Sequence, residues 1–192
     1  MGYLVGLKEY LDTMYHHSVF DQALASSELW ELHLHGHRVV KATIVENTTY
    51  DLKMDVAGQG QEMLPKVHVK LLYQANLSAA VHKLIKVDQK VQALGLAPIL
   101  APQHRHFVKN KTLFPLMQER QVAFFTLLEG ETIRGIVADF SRYEITVNLK
   151  GGTPIVILRH GVYDLRNKQG RCLLKAFQDQ HKDWEKSSIF VS

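Results

Sequence analysis

The sequence predicts a mostly β fold of the α+β class: two small, bent, five-stranded β-barrels in tandem, each with an N-terminal helix and a following C-terminal helix. Three observations carry this expectation. The first is an internal repeat. Residues 32–72 align without a gap on residues 125–165 at a constant offset (143 − 50 = 93), which sets Leu34 on Leu127, Tyr50 on Tyr143, Gly58 on Gly151, Val69 on Val162 and Leu72 on Leu165. The second is a period-two rhythm, with Ile133, Gly135 and Val137 on one face and Arg134, Ile136 and Ala138 on the other. The third is turn chemistry: Gly151-Gly152-Thr153-Pro154 divides two short apolar runs.

The elements follow in chain order. A helical stretch over 4–26 opens the first copy, and Leu77, Ala80, Val81, Leu84, Val87, Val91 and Leu94 recur at helical spacing after it, with Gly95 as a C-cap. Residues 96–111 read as a Pro-containing basic linker with Pro98, Pro102, His104, Arg105, His106, Lys109 and Lys111. These cations either touch phosphates or serve a soluble connector. The second copy opens with a helix over 113–120, Pro115 suiting its first turn. Strands follow, including 144–149 and 155–158, and Gly135 in mid-strand marks a sharp bend or a close backbone approach. Leu173, Leu174, Phe177 and Trp184 suggest a closing helix. The expected domains are therefore 1–95, the linker 96–111, and 112–192.

Composition narrows the function classes. Hydrophobic residues make up 46% of 192, enough for a folded core. No apolar run nears the roughly 20 residues of a membrane span. The stretch MGYLVGLKEYLDTMYHH lacks a basic start and a cleavage site, so no signal peptide is expected. One cysteine, Cys172, excludes an internal disulfide and a thiolate zinc site. A cytoplasmic protein fits. A net charge of +4 points mildly to a polyanionic partner. There is no P-loop, no Gly-x-Ser-x-Gly, no Cys-His pairing and no carboxylate cluster with site-like spacing, so no enzyme and no cofactor are expected. His33, His35 and His37 alternate on one strand face without a further carboxylate or Cys at ligand spacing; they read as a solvated face, and no metal is expected. His16-His17 reads as solvent-facing.

Residues 113–149 carry a denser pattern: Glu119-Arg120 at a helix end, Gly130 closing a strand, then Ile133, Gly135, Val137, Asp139-Phe140, Tyr143 and Ile145, with Arg159-His160-Gly161-Val162 opening the last strand. This stretch resembles the Hfq branch of the Sm-like (LSm) RNA-binding proteins, and the first copy resembles them through its alignment with the second. The resemblance implies a non-catalytic RNA chaperone acting in post-transcriptional regulation. Its rings of six barrels close by edge-strand pairing, and U-rich single strands bind on the pore face. Tyr143 would stack on bases, at about 1–3 kcal/mol each. Arg159 and His160 would stand for the family's Lys-His pair, Lys109 and Asn110 for its Gln-Asp pair, and Arg120 for the remaining rim arginine. Tyr50 and Lys66 would form a partial site in the first copy, where Val67 replaces the histidine. Thr126 and Glu131 depart from the adenine-binding face, and Met117 and Gln118 from the rim. Three chains would supply six repeats (3 × 2 = 6). The competing reading is an Sm-like scaffold for protein–protein contacts, in which the tyrosines are interface aromatics.

Overall fold

The computed structural model describes residues 4–174. Helices α1 (Leu7–Met14) and α2 (Val19–Ser26) precede five strands: β1 (Trp30–Leu34), β2 (Arg38–Asn47), β3 (Asp51–Val56), β4 (Gly60–Pro65) and β5 (Val69–Gln74). A connecting segment holds α3 (Ser78–His82), β6 (Lys86–Val87) and α4 (Gln89–Gln92). After α5 (Asn110–Gln118) come β7 (Val122–Leu127), β8 (Glu131–Phe140), β9 (Glu144–Asn148), β10 (Pro154–Leu158) and β11 (Val162–Asn167). No helix among the described residues is long and apolar enough to cross a membrane.

The strands do not form two separate five-stranded barrels. They form one open antiparallel sheet in the order β11-β7-β8-β9-β10-β5-β1-β2-β3-β4, with β6 added on β8. Among the described residues no ladder joins β4 to β5 or β10 to β11, so neither set of five closes on itself. The reason lies in the edges. An unpaired strand edge needs a partner, and β10 finds it in β5 of the other repeat, through Val156↔Leu72 and Ile157↔Leu71. The helices, few and short, do not form one domain-capping element at each end.

The duplication itself is visible in the register. Each set of five has the same internal order, and bulges recur at matching places. One interrupts β2–β3 between Ile44 and Glu46, and its counterpart interrupts β8–β9 between Val137 and Asp139. Another lies at His33/Leu34 against β5, and again at Val162/Asp164 against β7. A bulge bends a strand sharply, which gives each half its curvature. Gly135 permits a close approach of β8 to β9: a Cβ there would stand 2.4 Å from Val147 Cγ1 and 2.6 Å from the Asn148 carbonyl oxygen.

Two apolar cores fill the concave faces, and they interlock. Leu32, Leu34, Ile44, Leu52 and Met54 pack with α2 in the first, which also takes Leu158 from β10. Phe114, Phe125, Ile133 and Ile145 build the second, which takes Leu71 and Tyr73 from β5.

The cores explain why the expected helices break. Residues 4–26 do not form one helix, because α1 packs Leu7, Tyr10 and Leu11 on the second core while α2 packs Val19, Phe20 and Ala23 on the first. The expected helix after the first copy is interrupted by β6, which pairs Lys86 with Thr132 and Val87 with Glu131. Asp88 restarts it by accepting hydrogen bonds from Lys90 N and Val91 N, an N-cap. α5 begins earlier than expected, with Leu113 N donating to the Lys109 carbonyl, so Pro115 lies inside the helix rather than in its first turn. The linker is packed as well, with Val108 fully buried and Arg105 bonded to the Ile99 and Leu100 carbonyls. Of the expected closing helix, Phe177 and Trp184 lie outside the described residues. Leu173 instead runs antiparallel to β11, its N–H donating to the Leu165 carbonyl.

Candidate nucleic-acid interface

In both copies a tight turn holds a tyrosine out to solvent. Thr48 N donates to the Asp51 carbonyl in the first, and Ser141 N to the Glu144 carbonyl in the second. Tyr50 is 78% exposed and Tyr143 58%. The next turn along each copy lies against this tip: Lys66 N donates to the Tyr50 carbonyl at 2.8 Å and Arg159 N to the Tyr143 carbonyl at 2.9 Å. The fold thus brings together the aromatic and cationic positions that stand sixteen apart in each repeat (66 − 50 = 16; 159 − 143 = 16).

Arg159 is nevertheless buried. Its guanidinium donates to the carbonyls of Val108 (2.9 Å) and Ser141 (2.5 Å) and lies over the Phe140 ring. That fork ties the linker to the turn of Tyr143, a structural use of Arg159 that the sequence pattern does not reveal. His160 Nε2 lies 2.8 Å from the Val69 carbonyl oxygen, and burial lowers its pKa to about 4, so it is neutral near pH 7. Neither side chain presents a charge to a phosphate.

Lys66 bonds the Thr48 carbonyl and lies over the Phe20 ring, 5.6 Å from its centroid. Lys109 and Arg120 are exposed at the two ends of α5. Asn110 is half-buried. Its Oδ1, with Ser141 Oγ and Arg159 Nε, is a buried polar atom that finds no partner among the described residues. Such atoms call for water or a ligand group.

The cation that does reach the tyrosine was not legible in the sequence pattern. Exposed Arg142 stacks over Tyr143, 5.0 Å from the ring centroid, and over Tyr15 at 5.9 Å. Arg142 N also donates to the Tyr15 carbonyl, so the end of α1 carries Tyr15 and exposed His16 and His17 to the same surface. The only sequence signal was Arg142 standing beside Tyr143.

Beside this surface, at the junction of the repeats, lies a cavity of about 290 Å³ lined by Trp30, Tyr73, Ser141, Glu144 and Ile155 among others. Glu144 accepts from Val19 N at 2.8 Å, docking the second copy's turn on the start of α2. Burial pushes its carboxyl up to about 7, against the lowering effect of the bonds from Val19 and Ser18.

The outer face of β1 is not solvated as the alternating histidines suggested. His33 and His35 are 7% and 9% exposed, and only His37 faces solvent. Tyr73 of β5 and His82 of α3 pack on His33, while His68 and, from the second copy, Glu129 lie about His35. Lys70, fully buried, bonds the carboxylates of Glu129 and Glu131, while Gly36 N and His37 N donate to Glu129 at 2.8 and 3.2 Å. Further along, Glu31 accepts from Tyr73 OH (2.5 Å) and Ser78 Oγ (2.6 Å), with His82 Nε2 at 2.5 Å. His33 Nε2 is 2.9 Å from Tyr73 OH, and burial lowers the His33 pKa to about 4.

Comparison with protein-family models, curated proteins and solved structures finds no match.

Proposed function

We propose that this chain is a non-catalytic, cytoplasmic binder of single-stranded, U-rich RNA acting in post-transcriptional regulation, as its resemblance to Hfq-type proteins implies. One observation carries the reading: the exposed Arg142–Tyr143 stack, 5.0 Å from cation to ring centroid, stands beside buried polar atoms that find no partner among the described residues. An exposed aromatic face with an adjacent guanidinium stacks a base and holds its phosphate. The accessible cation in this reading is Arg142, with half-buried Lys66 beside the Tyr50 turn; Arg159 acts by holding the Tyr143 turn in place, and His160 bonds the Val69 carbonyl at the start of β5.

The test is binding of the purified chain to U-rich and A-rich oligoribonucleotides at two salt concentrations. U-rich RNA is expected to bind more tightly and to weaken with salt. Tyr143→Ala should cost about 1–3 kcal/mol, the value of one stacked base. Arg142→Ala should lower the salt slope by about 0.7, the single-strand value for one phosphate contact. Absence of binding to either RNA at low salt refutes the reading. It would leave the scaffold reading, which the internal commitment of Arg159 and His160 favours.

Self-association is proposed to repeat the β10–β5 junction between chains. By the offset of 93, β4 corresponds to β10 and β11 to β5. The receiving edge of β11 is held by the chain's own Cys172 and Leu173, through the Arg166↔Cys172 bridge and the Leu173 N–H to Leu165 bond. Leu173→Pro removes that N–H. In sedimentation velocity it should shift the chain toward larger assemblies, three chains per particle on the six-repeat expectation. An unchanged monomer for both forms at high concentration refutes edge pairing.

A further inference from the structure

We propose that Glu31, His33 and His82 form a binding site for a divalent cation of the zinc class, where the first repeat meets α3. One ligand atom from each of the three side chains lies within 4.8 Å of the others. Glu31 Oε1 is 2.5 Å from His82 Nε2 and 3.8 Å from His33 Nε2. Bonds of about 2.0–2.1 Å in a tetrahedral arrangement require ligand atoms about 3.3 Å apart. The His33 pair is near that spacing already. The His82 pair must open slightly, and His82 is free to do so, its side chain being 52% exposed on a five-residue helix.

The carboxylate is oriented for this task. Ser78 Oγ donates to Oε2 at 2.6 Å and Lys41 Nζ stands 3.8 Å from the same oxygen, which leaves Oε1 turned toward both imidazoles. Outer partners of this kind fix a ligand's direction in metal sites. Tyr73 now donates to Oε1 and lies 2.9 Å from His33 Nε2, so hydroxyl hydrogen bonds hold the place between the two ligands that a cation would take. Two imidazoles and one carboxylate match zinc-like ions and not calcium or magnesium, which take oxygen ligands. The set belongs to the first repeat alone: at the offset of 93 the second has Phe124 and Thr126 where the first has Glu31 and His33. The inference is independent of RNA binding.

The chain holds eleven histidines, so surface binding must be separated from this site. The full chain, stripped with a chelator, is titrated with Zn2+ by calorimetry and with Co2+ by visible absorption. One Zn2+ per chain and a tetrahedral Co2+ spectrum are expected. His82→Ala removes one bond to the Glu31 carboxylate and leaves those of Tyr73 and Ser78 in place, so the metal-free chain should keep the parent's circular dichroism while Zn2+ binding weakens about 100-fold or more. Glu31→Gln, which keeps the hydrogen-bonding shape, should do likewise, while His37→Ala should change nothing. Equal binding by His82→Ala and the parent, loss in His37→Ala instead, or no bound Zn2+ at micromolar concentration would each overturn the site.

Discussion

Replacing Lys70 by Met tests what holds the two repeats together. The Lys70 side chain is 1% exposed, and those of Glu129 and Glu131 are 10% and 12% exposed. Removing the ammonium leaves the carboxylates unequal. Glu129 retains the N–H groups of Gly36 and His37, which together with Lys70 hold its carboxyl below the usual range although burial alone would raise it. Glu131 retains nothing: its Oε2 is buried without a partner among the described residues and its Oε1 bonds Lys70. Breaking a buried ion pair from one side costs about 3–5 kcal/mol, because the other charge stays behind. For a chain of this length about 2–4 °C of melting temperature accompanies each kcal/mol, so a drop of about 6–20 °C is expected. Thermal unfolding followed by circular dichroism measures the drop, and urea unfolding measures the free energy. Adding Glu131→Gln to Lys70→Met should recover about 1 kcal/mol or more, since touching residues are not additive. The contrast is Arg38–Glu62, bidentate but 46% and 31% exposed, whose removal should cost under about 1 kcal/mol. If Lys70→Met costs no more than Arg38→Met, the network is not what joins the repeats.

Glu144 sets a pH dependence of opposite sign to the ordinary carboxylate. Its pKa rises from 4.5 to about 7 on folding, so the folded chain binds the extra proton between those values. Its contribution is complete below about pH 4.5 and is lost as the pH rises toward about 7, by about 3 kcal/mol at most; Glu144→Gln should flatten that decline, and a parent whose stability is level from pH 4.5 to 7 would contradict the assignment. Gly135→Ala places a methyl carbon against Val147 and the Asn148 carbonyl, where backbone has to shift. It should lower unfolding stability by about 1–3 kcal/mol, the range for overpacking, and a change under about 0.5 kcal/mol would show that the sheet yields there easily.

The sequence alone determined the repeat and its contents. The offset of 93 placed five strands in each copy, and Gly135 announced the close approach at Val147. These features are local: alternation, turn residues and backbone sterics act over a few neighbours and leave their mark in the chain. What only the tertiary structure decided is how the copies join. The edges of β5 and β10 look alike in sequence whether each half stands alone or the two merge, because backbone hydrogen bonds carry no side-chain signature. Tertiary packing likewise turns His33 and His35 from solvated residues into buried ones, Tyr73 and His82 covering the first and Glu129 of the second copy standing near the second. The same packing draws Arg159 inward onto the Val108 and Ser141 carbonyls and leaves Arg142 as the cation at Tyr143. Arg159 finds its acceptors 51 and 18 positions away and Lys70 its carboxylates 59 and 61 positions away, farther than the few neighbours over which alternation and turn chemistry act.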